Sequence, residues 1–180
     1  MQQARKALVT PILGFALLFG FVISAFAETL PLLPNHTLTP GLARTYLTLD
    51  QICNTKWGKD ERAVTAAMKK AVFKAYGLTG NSDPACIPDA SGRHCEIDHL
   101  ISREIGGADD VKNLWPQPYG SQPWNATRKD CVENRLHKEV CAGHITLKQA
   151  QDDISSDWTA VYLRYYDPPM PGQKCAAKKN

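Results

Sequence analysis

Two adjacent residues, Asp98 and His99, carry the most direct chemistry in this sequence. A carboxylate is a hard oxygen ligand for a divalent cation. An imidazole titrates near neutrality and can take a proton from water. On a strand, neighbouring side chains point to opposite sides, so the pair can divide that work near a bend. Hydrolysis of a phosphodiester needs both tools: a base for the nucleophile, and a cation to stabilise charge on the phosphate and the leaving oxygen.

The surroundings add weight to the pair. Gly106-Gly107 follows within eight residues of His99, and Asn113-Leu114 begins 14 residues after it. Paired glycines allow a tight reversal between two short strands, and Asn113 can brace that reversal by bonding backbone groups. The pattern predicts a strand over 94–100, a second short strand over 111–115 and a loop through Pro116, Pro118, Gly120 and Pro123. A long helix is expected over 125–140, with Val132, Leu136 and Val140 on one face. Thr146 can cap another, with Ala150, Ile154, Trp158, Val161 and Tyr162 as its apolar stripe. Upstream, helical spacing runs over 61–76 through Val64, Met68 and Val72, and Gly77 stops it. Residues 28–59 read as an extended lead-in and 168–180 as a mobile basic tail. No internal repeat or linker divides the 60–167 segment between them.

The segment Glu96-Ile97-Asp98-His99-Leu100-Ile101 through Gly106-Gly107 to Asn113-Leu114 resembles the HNH endonuclease motif. Asn113-Leu114-Trp115-Pro116-Gln117-Pro118, Lys129-Asp130-Cys131-Val132-Glu133-Asn134-Arg135-Leu136-His137, Val140-Cys141-Ala142-Gly143, Ala150-Gln151 and Asp157-Trp158 extend the likeness to an exported HNH subfamily, as do Ile52-Cys53 and Arg62 upstream. The resemblance implies an α+β fold, a small ββα-metal core with additional packing helices. It implies an endonuclease with one divalent metal ion, Mg²⁺ ahead of others, and nucleic acid, DNA ahead of RNA, as partner. His99 would be the general base, Asp98 a metal ligand, and Asn113 the residue that holds the loop and orients the base. The last metal position falls on Asn125; Glu133 and His137, four apart on one helical face, form an alternative ligand pair. Two departures stand out: Ser102 where members of the family commonly carry proline, and Arg103 where an apolar residue is commoner.

Charge sets a boundary on partners. The chain has 21 basic and 18 acidic residues; without residues 1–27, which hold two basic residues and no acid, the balance is close to neutral. Polyanion binding must then come from a local patch. Lys129 and Arg128 are the candidates on the long helix; Lys69, Lys70 and Lys74 read as a solvated face. Trp115 and Trp124 read as core more readily than as base-stacking groups. Arg5 and Lys6, the apolar run that follows and Ala25-Phe26-Ala27 make residues 1–27 a signal peptide, with an uncleaved anchor as the alternative. The chain is thus expected to be secreted or periplasmic. Six cysteines in an exported chain favour disulfides. Cys86 with Cys95 would close a short loop, and Cys53 with Cys141 or Cys175 would tie distant parts. A zinc site from Cys131, His137, Cys141 and His144 has no familiar spacing. The alternative to an enzyme is a catalytically inactive extracellular nucleic-acid-binding or structural module.

Overall fold

The computed structural model describes residues 32–57, 60–173 and 175–178. The leader expected at 1–27 lies outside the described residues. Among the described residues, four helices accompany one two-stranded ribbon: α1 (Leu49–Asn54), α2 (Ala66–Ala75), β1 (Cys95–His99), β2 (Leu114–Pro118), α3 (Ala126–Cys141) and α4 (Leu147–Tyr165). Mixed α+β architecture is therefore present, and the order β1, β2, α3 runs without interruption by another helix of four or more residues.

β1 and β2 pair antiparallel, with Asp98 opposite Trp115 and His99 opposite Leu114. The two prolines in β2 are explained by parity. Leu100 N donates to Asn113 O and Tyr119 N donates to His94 O, so Pro116 and Pro118 fall at the non-hydrogen-bonded pairs between these. Their nitrogens face the free edge, where no donor is missed. The second strand accordingly starts three residues later than the spacing predicts. Val111–Asn113 is instead a 3₁₀ turn, capped by the Asp110 side chain, which accepts from Lys112 N.

One face of the ribbon packs on α2 through Val72, Ile97 and Leu114. The other buries Trp115 against Val132 and Leu136 of α3, in a core that continues to Ile154, Trp158 and Tyr162 of α4. Trp124 stands edge-on to both Trp158 and Tyr162. Both tryptophans that flank the proline loop are thus packing groups.

Helix starts follow their caps. α2 begins at Ala66 because Thr65 accepts from Met68 N. The preceding residues, expected to be helical, are engaged elsewhere: Arg62 donates to Ile97 O at 2.6 Å and Ala63 N donates to Asp109 Oδ2 at 2.7 Å. Asn125 caps α3 and Thr146 caps α4. Asp157 breaks helical geometry inside α4, and its carboxylate accepts from Thr159 N and Ala160 N, restarting the helix.

Three disulfides join Cys53 to Cys141, Cys86 to Cys95 and Cys131 to Cys175. Such bonds persist in oxidising surroundings. Cys53–Cys141 spans 88 residues, and a loop of that size constrains the unfolded chain by about 4–5 kcal/mol on the chain-entropy account. It also anchors the lead-in, whose end is helical rather than extended. The tail is not loose over its described residues: Cys175 is bonded to α3, and Ala177 forms a bridge with Tyr166. Among the described residues no helix is long and apolar enough to cross a membrane.

Candidate functional site

The chain reverses just beyond β1, and the glycines there have no substitute. Gly106 has φ of +86°, and a Cβ on Gly107 would lie 1.7 Å from Ile101 O. Asn113 closes the reversal. Its Nδ2 donates to Ile101 O and Ala108 O, both at 3.0 Å, and its Oδ1 accepts from Ile101 N at 2.9 Å and Leu42 N at 3.2 Å. It is fully buried. Asn113 therefore touches backbone on three segments and no open space, which makes it a positioning residue.

The loop so held delivers Asp109 to His99. His99 Nε2 lies 2.7 Å from Asp109 Oδ1. Burial favours a higher Asp109 pKa, but the bonds from Ala63 N and His99 outweigh it and hold the carboxyl below its ordinary range. Burial lowers the His99 pKa, against the opposing pull of Asp98 and Asp109. An ionised carboxylate only accepts, so in the neutral ring Nε2 carries the proton and donates. The lone pair is left on Nδ1, which has no hydrogen bond among the described residues.

Asp98 projects to the α3 face, where it meets a buried cation. Lys129 Nζ lies 2.8 Å from Asp98 Oδ2, 2.5 Å from His99 O and in contact with Glu133 Oε1. Lys129 has no exposed surface. It is a structural counter-ion here, and the expectation that it contacts phosphate at the surface is corrected. Burial tends to raise Asp98, and Lys129 reverses this, holding it below the ordinary value. Burial pushes Glu133 up, with Asp98 and Asp130 adding to the effect. Burial likewise raises Asp130 to about 6 and Glu96 to about 7, Asp98 contributing to both. One ammonium thus faces more carboxylates than it can neutralise.

Asp98, His99 and Glu133 line a common cleft of about 150 Å³ with Glu104, Arg62 and Arg103. Arg103 pairs with Asp60 and lies 3.7 Å from Asp109. The donors facing the cleft are hard oxygens, which suit Mg²⁺. Glu104 Oε2 is buried without a hydrogen-bond partner, as a carboxylate oxygen awaiting a cation would be. The arrangement as it stands serves an ammonium: among the described residues no group of three or more His, Cys, Asp or Glu side chains is set to hold a metal ion.

Asn125 is not among these residues. Its Oδ1 accepts from Arg128 N at 3.1 Å and its Nδ2 donates to Ser121 O at 3.1 Å, so both polar atoms serve the start of α3. It lines a different cavity from Asp98 and His99. Of the alternative pair, Glu133 reaches the cleft, whereas His137 Nε2 lies 3.1 Å from Ile52 O. Arg128 is buried and donates to Tyr162 Oη and Met170 O. Cys131 and Cys141 are oxidised, which removes the thiolates a zinc site would need. Asp109 and Glu104 escaped sequence reading: Asp109 lies in the turn that follows Gly106-Gly107, where an aspartate is ordinary, and Glu104 has no spacing that marks it.

No family model, curated protein or solved structure matches the chain.

Proposed function

We propose that the protein is an exported metal-dependent endonuclease of the HNH type, hydrolysing phosphodiester bonds of nucleic acid. One observation carries this reading: His99, oriented by Asp109 with Nδ1 available, shares a cleft with the carboxylates of Asp98, Glu104 and Glu133 and with two arginines. Loop, base and acid also follow the order of the motif that the sequence resembles. The charged leader and three disulfides favour a secreted or periplasmic setting.

In this reading His99 Nδ1 takes a proton from water as the oxygen attacks phosphorus. The bond from phosphorus to the 3′ oxygen breaks, leaving a 5′ phosphate and a 3′ hydroxyl whose proton comes from solvent. Asp98 and Glu133 would hold the divalent ion, with Glu104 beside them. When bound, that ion supplies charge stabilisation at the phosphate and the leaving oxygen. The ion and Lys129 compete for the same two carboxylates, so binding is expected to loosen the Lys129 contacts.

A second reading has its own support. The ammonium already between Asp98 and Glu133 could make the acidic cluster a structural knot, in a module that binds nucleic acid without cutting it. Cleavage of plasmid DNA and of RNA, after EDTA treatment and restoration of Mg²⁺ or Mn²⁺, decides between the two. The nuclease reading expects metal-restored cleavage that falls at least about 100-fold in His99→Ala. Equal, metal-independent background in both proteins would leave only the binding module.

A further inference from the structure

A second cavity near the ribbon lies apart from the one that holds His99. It encloses about 550 Å³ at the start of α3, and its wall includes Arg93, Tyr119, Gln122, Arg128 and Gln173. Arg128 is 3% exposed. Its bonding partners, Tyr162 Oη and Met170 O, are neutral, and no carboxylate pairs with it among the described residues. A buried cation without an anion is costly. On another part of the wall the Arg93 guanidinium sits 4.0 Å over the Tyr119 ring. Asp89 neutralises Arg93 in part, at 2.7 Å, yet the arginine side chain stays 56% exposed. The cavity therefore sets a guanidinium without a carboxylate partner, Arg128, near a second, Asp89-paired guanidinium that backs an aromatic ring.

We propose that this cavity is a second nucleotide subsite, in which Arg128 attracts a phosphate and Tyr119 with Arg93 stacks a base of the strand that passes His99. The link to His99 rests on the nuclease reading; the nucleotide pocket does not. Its volume falls in the range of small-ligand sites. Planar guanidinium and phenol faces accept any base, so the subsite supplies affinity without sequence choice. It is also coupled to the cleft. Tyr119 Oη donates to Glu96 at 2.6 Å, and Glu96 lies two residues before Asp98 on the same face of β1. Tyr119 N bonds His94 O, five residues before His99. That is about 17 Å of strand, or roughly five nucleotide steps of a duplex.

The test is fluorescence anisotropy of a labelled 12-nucleotide DNA, single-stranded and duplex, titrated in EDTA so that nothing is cut. Arg93→Ala, an exposed substitution, and Arg128→Gln should each weaken binding about fivefold or more. Arg128→Gln should also reduce the slope of log affinity against log salt, by about one for a lost phosphate contact. Lys148→Ala, on the exposed side of α4, is the control. If either arginine variant binds as tightly as wild type, the subsite is overturned whatever the cleavage result. If Arg128→Gln fails to fold, Arg93→Ala decides alone. If the arginine variants lose affinity while the wild-type protein cuts nothing with any metal, the subsite stands and the nuclease reading falls. If the wild type binds neither DNA, the subsite falls, and the nuclease reading is decided by the metal-restored cleavage assay.

Discussion

At His99 a single contact does two things. The 2.7 Å approach of Asp109 to Nε2 selects the tautomer and turns the ring, much as a carboxylate behind an imidazole does in other hydrolytic sites. It also raises the proton affinity of a ring that burial lowers. Asp109→Asn removes the second effect and disturbs the first. Turnover should fall about tenfold or more, and the acid limb of the pH–rate profile should move to lower pH, since a group with less support for its charged form gives up its proton more readily. A limb that stays in place or moves upward would show that Asp109 does not govern His99. Arg62 pushes the ring in the same direction as burial, while its guanidinium is also tied to Ile97 O; it secures the strand end as well as lining the cleft.

The elements divide the labour. β1 presents Asp98 to α3 and His99 to the loop, because side chains alternate across a strand. α3 supplies Glu133 and the buried Lys129, four residues apart on one face. Its first turn belongs to Asn125, whose amide is consumed by the cap. Asn125→Ala should therefore cost about 1 kcal/mol of stability in urea denaturation and leave Mg²⁺ affinity, measured by calorimetry, unchanged. Glu133→Gln should weaken that affinity clearly. If Asn125→Ala abolishes metal binding and Glu133→Gln spares it, the ligand has been placed on the wrong turn of the helix.

For the whole molecule the acidic surplus has a thermodynamic consequence. Glu96, Asp130 and Glu133 all have raised pKa values, chiefly from burial, with about 7 and about 6 for the first two. A carboxyl whose pKa is raised on folding binds more protons folded than unfolded over the interval between the two values. Its contribution is complete below the unfolded pKa and is lost as pH rises through the folded one. The metal-free chain should thus gain stability, by about 1–2 kcal/mol allowing for solvent screening, as pH falls from about 7 to about 5. His99, with its lowered pKa, works against this gain, and further acidification reverses it as Asp98 and Asp109 take up protons. Mg²⁺ should flatten the slope, because a dication on Glu133 displaces its proton and favours the charged forms of Glu96 and Asp130 nearby. Denaturation curves at the two pH values, with EDTA and with Mg²⁺, give the answer. A stability that rises with pH in EDTA would mean that the cluster carries no surplus charge.

Much of this protein could be read from local order in the chain. The Asp98-His99 pair, the Gly-Gly reversal, the bracing amide of Asn113, the long amphipathic α3 and the cap at Thr146 involve residues near one another in sequence. Period and capping chemistry report on such neighbours directly. The tertiary structure decided what those residues meet. Lys129 read as a nucleic-acid contact, yet it is enclosed because Asp98, 31 residues away, folds onto its face of α3. Asn125 lost its assumed ligand role to the cap it makes. Arg62 and Ala63 left the helix they seemed to start because Ile97 O and Asp109, far along the chain, bind them. Hydrophobic spacing says which side of an element is buried; it does not say which distant polar group waits there, and at this site those distant partners set every charge.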